Sequence, residues 1–331
     1  MVGKTSFVKA TVGEMKNVSV VYLNLWNAKN ATNMLEQLVV EIQNLKTLPE
    51  EIRSAVKGLT LLTPPLLIEF ENRPIATIRS LLSRIGQTQK PTIVVLDEVQ
   101  KLAAFSGSLH EMLANIFNTY SNMTFVFTGS MFGLIRSMLR AKSTAPMYGR
   151  APVEMRLEPF SEEAAKGFLE EGFEQYGILP KTNEIDEAVQ TFGGVPGWLT
   201  IYGASRAIER REHNEAIKET VRAASCIMRE ELDHFLLNKN ATLYLAALKS
   251  MVVPRGWAEI KRSVEIATNH CLNPRRFQEI LNTLQDALLI KQSGAVYAVM
   301  DPMLKNVLLQ PSKKGRSSRG EIKGRGEIKG R

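Results

Sequence analysis

Ile93-Val94-Val95-Leu96 is an unbroken apolar run, opened by Thr92 and ended abruptly by Asp97-Glu98. Successive side chains of a strand point to opposite faces, so a run without a polar break has both faces buried. Such strands sit in parallel sheets covered by helices, which makes the fold class α/β. Asp97 then emerges at the carboxyl edge of the sheet, where open α/β folds hold their ligands. The surrounding pattern agrees. Residues 18–26 (VSVVYLNLW) read as a buried strand and residues 124–128 (TFVFT) as another, with helical periodicity over 31–45, 75–85 and 109–120. Residues 48–73 are broken by Pro49, Gly58 and Pro64-Pro65, and read as an insertion with one short helix.

A second stretch carries chemistry. Gly3-Lys4-Thr5 precedes a helix-compatible segment, residues 6–12, and matches the end of the phosphate-binding signature G-x-x-x-x-G-K-[ST]. In that setting Lys4 reaches the β- and γ-phosphates of ATP and the Thr5 hydroxyl binds Mg²⁺. Glu98, just past the strand, can polarise a water for attack on the γ-phosphate. Each stretch alone has a plainer reading, as a turn entering a helix or as a strand followed by an acidic first turn. Together, and in this order, they read as two halves of one phosphate site.

Composition narrows the remaining classes. With 44% apolar residues over 331 positions, the chain can build two or three ordinary globular cores. No apolar run is long enough to span a bilayer and no signal-peptide core is visible, so the expectation is a cytoplasmic protein. Cys226 and Cys271 form no bridge framework or metal spacing and read as buried free thiols. The histidines His110, His213, His234 and His270 are scattered and indicate no metal cluster. The net charge is +8, yet residues 312–331 alone carry +6, which leaves a nearly neutral body.

Beyond Met155-Arg156-Leu157, expected as a short closing strand, the pattern changes. Ser161-Glu162-Glu163 is a helix start, and helices follow one another to about Leu237. Residues 242–251, 257–267 and 274–287 are again helical, and residues 289–292 and 295–299 form a hairpin about Ser293-Gly294. Three helices and a hairpin predict a winged helix-turn-helix, with Arg275, Arg276 and Gln278 at the start of its recognition helix. The expected division is a core over 1–157, an all-helical lid over 158–237, a winged helix over 238–310 and a disordered basic tail over 311–331.

Three further groups have the right chemistry for a nucleotide site. Thr128 and Ser130, at the end of the strand after Asp97, place hydroxyls where a γ-phosphate or attacking water would lie; Ser130 reads equally well as a helix N-cap. Arg150 can stabilise phosphate charge or pair with a neighbouring acid. Gly193-Gly194-Val195-Pro196-Gly197-Trp198 is a stiff, close-approach turn that can press on adenine, or simply a helix cap and loop.

The order GKTS, IVVLDE, FTGS, YGRA, GGVPGWL and VYAVMDP resembles the archaeal ATPase family, a branch of the AAA+/STAND P-loop ATPases. The resemblance spans about residues 1–310 and implies a P-loop NTPase core, a three-layer αβα sandwich about a parallel sheet, with a helical lid and a C-terminal winged helix. It implies that Gly3, Lys4 and Thr5 belong to Walker A, and Asp97 and Glu98 to Walker B, with Mg²⁺ on Thr5 and Asp97. Thr128 and Ser130 would mark sensor 1, Arg150 a phosphate-facing turn and Pro196 the turn beside adenine. The first glycine of the signature falls ahead of Met1, so the expectation is a chain truncated within Walker A, with weak or absent ATP binding. Two functions follow from the residues: an ATP-driven switch, or a DNA-binding winged-helix regulator on a vestigial ATPase core. A protein partner for the winged helix is a further alternative.

Overall fold

The computed structural model describes residues 3–26, 28, 30–60, 73–99, 107–129, 153–237 and 239–310. Ser130, Arg150, residues 61–72 of the insertion and the basic tail from 311 lie outside the described residues.

The chain opens with α1 (Lys4–Glu14), β1 (Ser19–Asn24), α2 (Ala31–Asn44) and α3 (Glu50–Thr60). It continues through α4 (Pro74–Gln87), β2 (Thr92–Asp97), α5 (Gly107–Thr119) and β3 (Met123–Phe127). The strands form a parallel sheet in the order β1-β2-β3, so the apolar run of β2 lies at the centre. Paired residues share a face: Tyr22 lies beside Val95 and Asn24 beside Asp97. The opposite face carries Val21, Leu23, Val94 and Leu96, which join Met34, Leu38, Ile78, Leu82 and Met112 of the helices in one apolar core. Tyr22 and Asp97 therefore look away from that core. They look toward α1, whose own side chains are none of them buried.

A second run of helices follows: α6 (Glu162–Gln175), α7 (Thr182–Phe192), α8 (Pro196–Ala207) and α9 (His213–Leu236). Ser161 caps α6, its hydroxyl accepting from the Ala164 amide, as its sequence predicts. Then come α10 (Ala241–Ser250), β4 (Arg255–Gly256), α11 (Trp257–Thr268) and α12 (Pro274–Asp286). The described chain ends with β5 (Ile290–Ser293), β6 (Val296–Val299) and α13 (Pro302–Leu309). The three short strands pair antiparallel in the order β4-β6-β5. One continuous core joins Phe173, Trp198 and Tyr202 to Leu248, Phe277 and Leu304. The helices from α6 onward and the C-terminal three-strand unit thus share their hydrophobic interior, separate from the core under the parallel sheet.

Two expectations are corrected. Met155-Arg156-Leu157 does not form a closing strand: residues 153–160 carry no strand pairing, and Val153 and Met155 are 94% and 69% exposed. An extended segment with both flanks in water gains nothing from a sheet edge. Its fixed points are instead the Phe160 amide on the Gly194 carbonyl at 2.9 Å and Glu158 facing Lys291. Cys226 and Cys271 are free thiols but exposed rather than buried, because Ala224 and Met228 take the inward positions of α9 and Leu272 those beside Cys271. α13 lies beyond the three helices and the hairpin that the pattern predicts. Its start was visible as Asp301-Pro302, an acidic N-cap followed by proline at the first helical position, and Asp301 accepts from the amides of Met303 and Leu304.

Candidate functional site

Asp97 is 1% exposed, and an anion that deep must be fully compensated. Four donors converge on it. The Thr5 hydroxyl reaches Oδ2 at 2.7 Å and the Tyr22 phenol donates to the same oxygen. The Thr128 hydroxyl donates to Oδ1, and so does the Glu98 amide at 3.1 Å. Burial alone would raise the carboxyl pKa. The hydrogen bonds from Thr128, Tyr22, Thr5 and the Glu98 amide outweigh it and hold Asp97 below the ordinary carboxylate value. Tyr22 responds in the opposite sense: burial first, then its bond to the Asp97 anion, pushes its phenol well above the usual value.

A stability consequence follows from the sign. A carboxyl with a depressed folded pKa contributes stability that is present above its unfolded value, ordinarily 3.8, and is lost as pH falls through the lower folded value. Acid unfolding of the wild type is therefore expected to be steeper below about pH 4 than that of Asp97→Asn. Parallel midpoints and slopes for the two proteins, measured by circular dichroism from pH 6 to pH 2, would refute the Asp97 network.

The neighbours are placed by local backbone chemistry. Gly3 is the residue before α1 and adopts φ +77°, a left-handed conformation that favours glycine and starts the helix at Lys4. Thr5 then stands one residue into the helix, over the sheet face that carries Asp97. Lys9, one turn on, lies 5.1 Å above the Tyr22 ring, a cation–π contact that fastens α1 to β1. Glu98 also sits at positive φ, +60°, which costs about 1 kcal/mol or more for a residue with a Cβ. That turn directs its amide back to Asp97 and to the Thr128 hydroxyl at 3.4 Å.

The glycine-proline turn comes up against the start of α1. Gly193 ends α7 at φ +62° and Gly194 follows at φ +71°, with Pro196 at the first position of α8. A Cβ on Gly3 would stand 3.9 Å from that of Pro196, so the turn borders Gly3 directly. A Cβ on Gly194 would lie 2.3 Å from the Phe160 carbonyl oxygen, a backbone atom that cannot swing aside. Gly194→Ala is expected to lose about 2–4 kcal/mol in denaturant unfolding, from the left-handed backbone and the clash together. A loss below about 0.5 kcal/mol would contradict this close approach.

Glu231, on α9, reaches solvent yet is surrounded by protein, and its carboxyl pKa is raised. Burial is the first cause; the anions Asp301 and Glu98 add to it, while Lys4 opposes it.

Of the sequence-derived residues, the fold brings Thr5, Asp97, Glu98 and Thr128 into one hydrogen-bonded cluster and sets Gly3 against Pro196. Lys4 begins α1 beside them. Tyr22 was not anticipated. Its signal was a polar-tipped aromatic within an otherwise apolar strand, which usually finds a partner for its hydroxyl. Among the described residues there is no cluster of three or more histidine, cysteine or acidic ligands for a metal ion. No described helix is long and apolar enough to cross a membrane.

Comparisons with known proteins fit this geometry. The family model for an ATPase domain found predominantly in Archaea matches residues 1–201. Among solved structures, the chain is similar to the Walker-type ATPase PABY2304 of Pyrococcus abyssi, with a TM-score of 0.72 and 22% identity over 93% of this chain and 88% of that one. It is also similar to the ORC2 protein of Aeropyrum pernix, solved as ADPNP-ADP complexes, with a TM-score of 0.51 and 14% identity over 93% of this chain and 82% of that one. No curated protein matches the sequence significantly. At these identities the structures speak for the fold alone, that of a P-loop NTPase. The family match covers more than half of its length: this chain belongs to the archaeal ATPase family.

Proposed function

We propose that the chain binds ATP with Mg²⁺ between α1 and the end of β2, and hydrolyses it as the drive of a conformational switch of the AAA+/STAND kind. The observation that carries this reading is the 2.7 Å hydrogen bond from Thr5 to Asp97, which joins the two sequence motifs across 92 residues. Lys4 meets the β- and γ-phosphates from the first turn of α1, where the helix amides and dipole also favour an anion. Both Asp97 oxygens are occupied by two donors each, so Asp97 serves chiefly to accept the Thr5 proton. That turns a Thr5 lone pair outward.

The donor set fits a cation that keeps most of its ligands as water and phosphate, and Thr5 and Asp97 would hold Mg²⁺ there, Asp97 through Thr5 or a bound water. When bound, the ion neutralises the charge that develops on the phosphates. Glu98 orients and polarises the attacking water, while Thr128 keeps the turn between Asp97 and Glu98 in place. Pro196 and its glycines form the adenine side. Ser130 and Arg150 remain proposed phosphate contacts. Expected results are that Glu98→Gln retains ATP binding and loses at least about 100-fold in phosphate release, in line with general-base removal, whereas Lys4→Ala loses binding itself. Equal turnover by wild type and Glu98→Gln would remove Glu98 from this role.

A second reading rests on α12. We read helices α10 to α12 and the β4-β6-β5 sheet as a winged helix, with α12 as its recognition helix. Arg275 has 91% of its side chain in solvent and pairs with Glu279 one turn on at 3.4 Å, and Arg276 is exposed, so the helix start presents basic groups to phosphate. Gln278 is less free, since its side chain accepts from Trp257 Nε1 at 2.9 Å and donates to Asn282. Contact through α12 is thus electrostatic more than base-reading. In a mobility-shift titration, Arg275→Ala with Arg276→Ala should weaken binding to duplex DNA of any sequence; unchanged affinity points instead to a protein partner.

A further inference from the structure

Asp301 lies more than a hundred residues beyond the glycine-proline turn and has no part in the phosphate chemistry, yet the turn is held by it. Trp198, two residues after Pro196, is fully buried, and its Nε1–H donates to both Asp301 carboxylate oxygens, at 3.2 and 3.0 Å. The same carboxylate caps α13 by accepting from the Met303 amide at 2.7 Å and the Leu304 amide at 3.3 Å. A second contact lies alongside: a Cβ on Gly193 would fall 2.6 Å from Pro302 Cγ, so only glycine lets the turn sit this close. On its other flank the turn is bonded to the Phe160 amide through the Gly194 carbonyl, and Pro196 borders Gly3. Asp301 and Glu98 are also the anions that help hold the Glu231 carboxyl pKa up, against the Lys4 cation.

We propose that Asp301 is a positioning residue of the nucleotide site: through Trp198 it sets where Pro196 stands against Gly3. The C-terminal unit is then a structural part of the adenine side of the site. By linkage, any partner that displaces α13 changes nucleotide affinity, and nucleotide changes affinity for that partner by the same factor. This rests on the reading of the site as an ATP site with Pro196 at the base.

The test compares MgATP with inorganic tripolyphosphate and Mg²⁺, a probe that lacks a base, by titration calorimetry on the full chain. Trp198→Phe keeps an aromatic ring, though a smaller one, and removes the donor; Asp301→Ala removes the acceptor and Asp301→Asn retains one acceptor oxygen. Trp198→Phe and Asp301→Ala should each weaken MgATP binding by about tenfold and leave tripolyphosphate binding within about twofold, with the double variant no worse than either single one. Asp301→Asn should recover most of the ATP affinity. Equal losses for both probes, additive losses in the double variant, or unchanged ATP binding would each overturn the positioning role. Wild type that binds tripolyphosphate but gains nothing from the adenosine also overturns it. Wild type that binds neither probe overturns the ATP site, and the positioning role with it.

Discussion

Asp97→Ala is expected to cost the fold about 3–5 kcal/mol and to abolish Mg²⁺-dependent nucleotide binding. The cost comes from what is left behind rather than from the carboxylate itself. Thr5, Tyr22, Thr128 and the Glu98 amide all donate to Asp97, which is itself 1% exposed. Stranding a buried donor costs about 1–3 kcal/mol each, and rotation of three hydroxyls recovers part of the total. Asp97→Asn separates function from stability. Its amide oxygen can keep Thr128 and the Glu98 amide, while its NH₂ turns toward Thr5 and Tyr22. Those hydroxyls must then accept, and the Thr5 lone pair is spent inside the protein. The expected outcome is a smaller loss, about 1–3 kcal/mol by urea unfolding, with the Mg²⁺ dependence of nucleotide binding still removed. An Asp97→Ala protein as stable as wild type would show that the four donors have no need of the anion.

Trp198→Ala is the second large effect, at about 3–5 kcal/mol. The ring is 0% exposed and lies in the core that unites the helices after residue 161 with the C-terminal three-strand unit. Removing it opens a cavity and frees Asp301 at one stroke. The variant keeps Trp26 and Trp257 as reporters, one beyond β1 and one at the start of α11. In Trp198→Ala the Trp257 signal should shift to lower denaturant in a single transition with the loss of helical circular dichroism from α6 to α13. A Trp257 midpoint that does not move would mean that the C-terminal unit is independently stable, against a shared core.

Much of this arrangement was written in local sequence. The β2 run announced a central parallel strand because nothing polar interrupts it, and Asp97 announced a buried anion because it ends that run. Ser161, Asn273 and Asp301 cap helices where short polar side chains precede a periodic stretch. What stayed hidden depends on contacts between distant segments. Tyr22 meets Asp97 only through the register of β1 on β2, which no periodicity specifies. Trp198 meets Asp301 only because the helical region and the C-terminal unit pack as one, whereas composition and pattern place a boundary between them. Met155-Arg156-Leu157 misled for the converse reason: extended, partly apolar sequence is compatible with a strand, and only the absence of a paired neighbour among the described residues shows otherwise.

A Mg²⁺-assisted ATP site at Thr5 and Asp97 is the centre of the proposed function. The most direct measurement is the melting temperature of the full chain with saturating ATP, with and without Mg²⁺, for wild type and Lys4→Ala. A ligand at a hundred times its Kd stabilises by about 2.7 kcal/mol, a rise of roughly 5–10 °C for a domain of this size. The predicted result is a rise of that order with MgATP, largely lost in EDTA and absent in Lys4→Ala. A melting temperature that ignores MgATP, or a rise equally large in EDTA and in Lys4→Ala, would contradict the central claim.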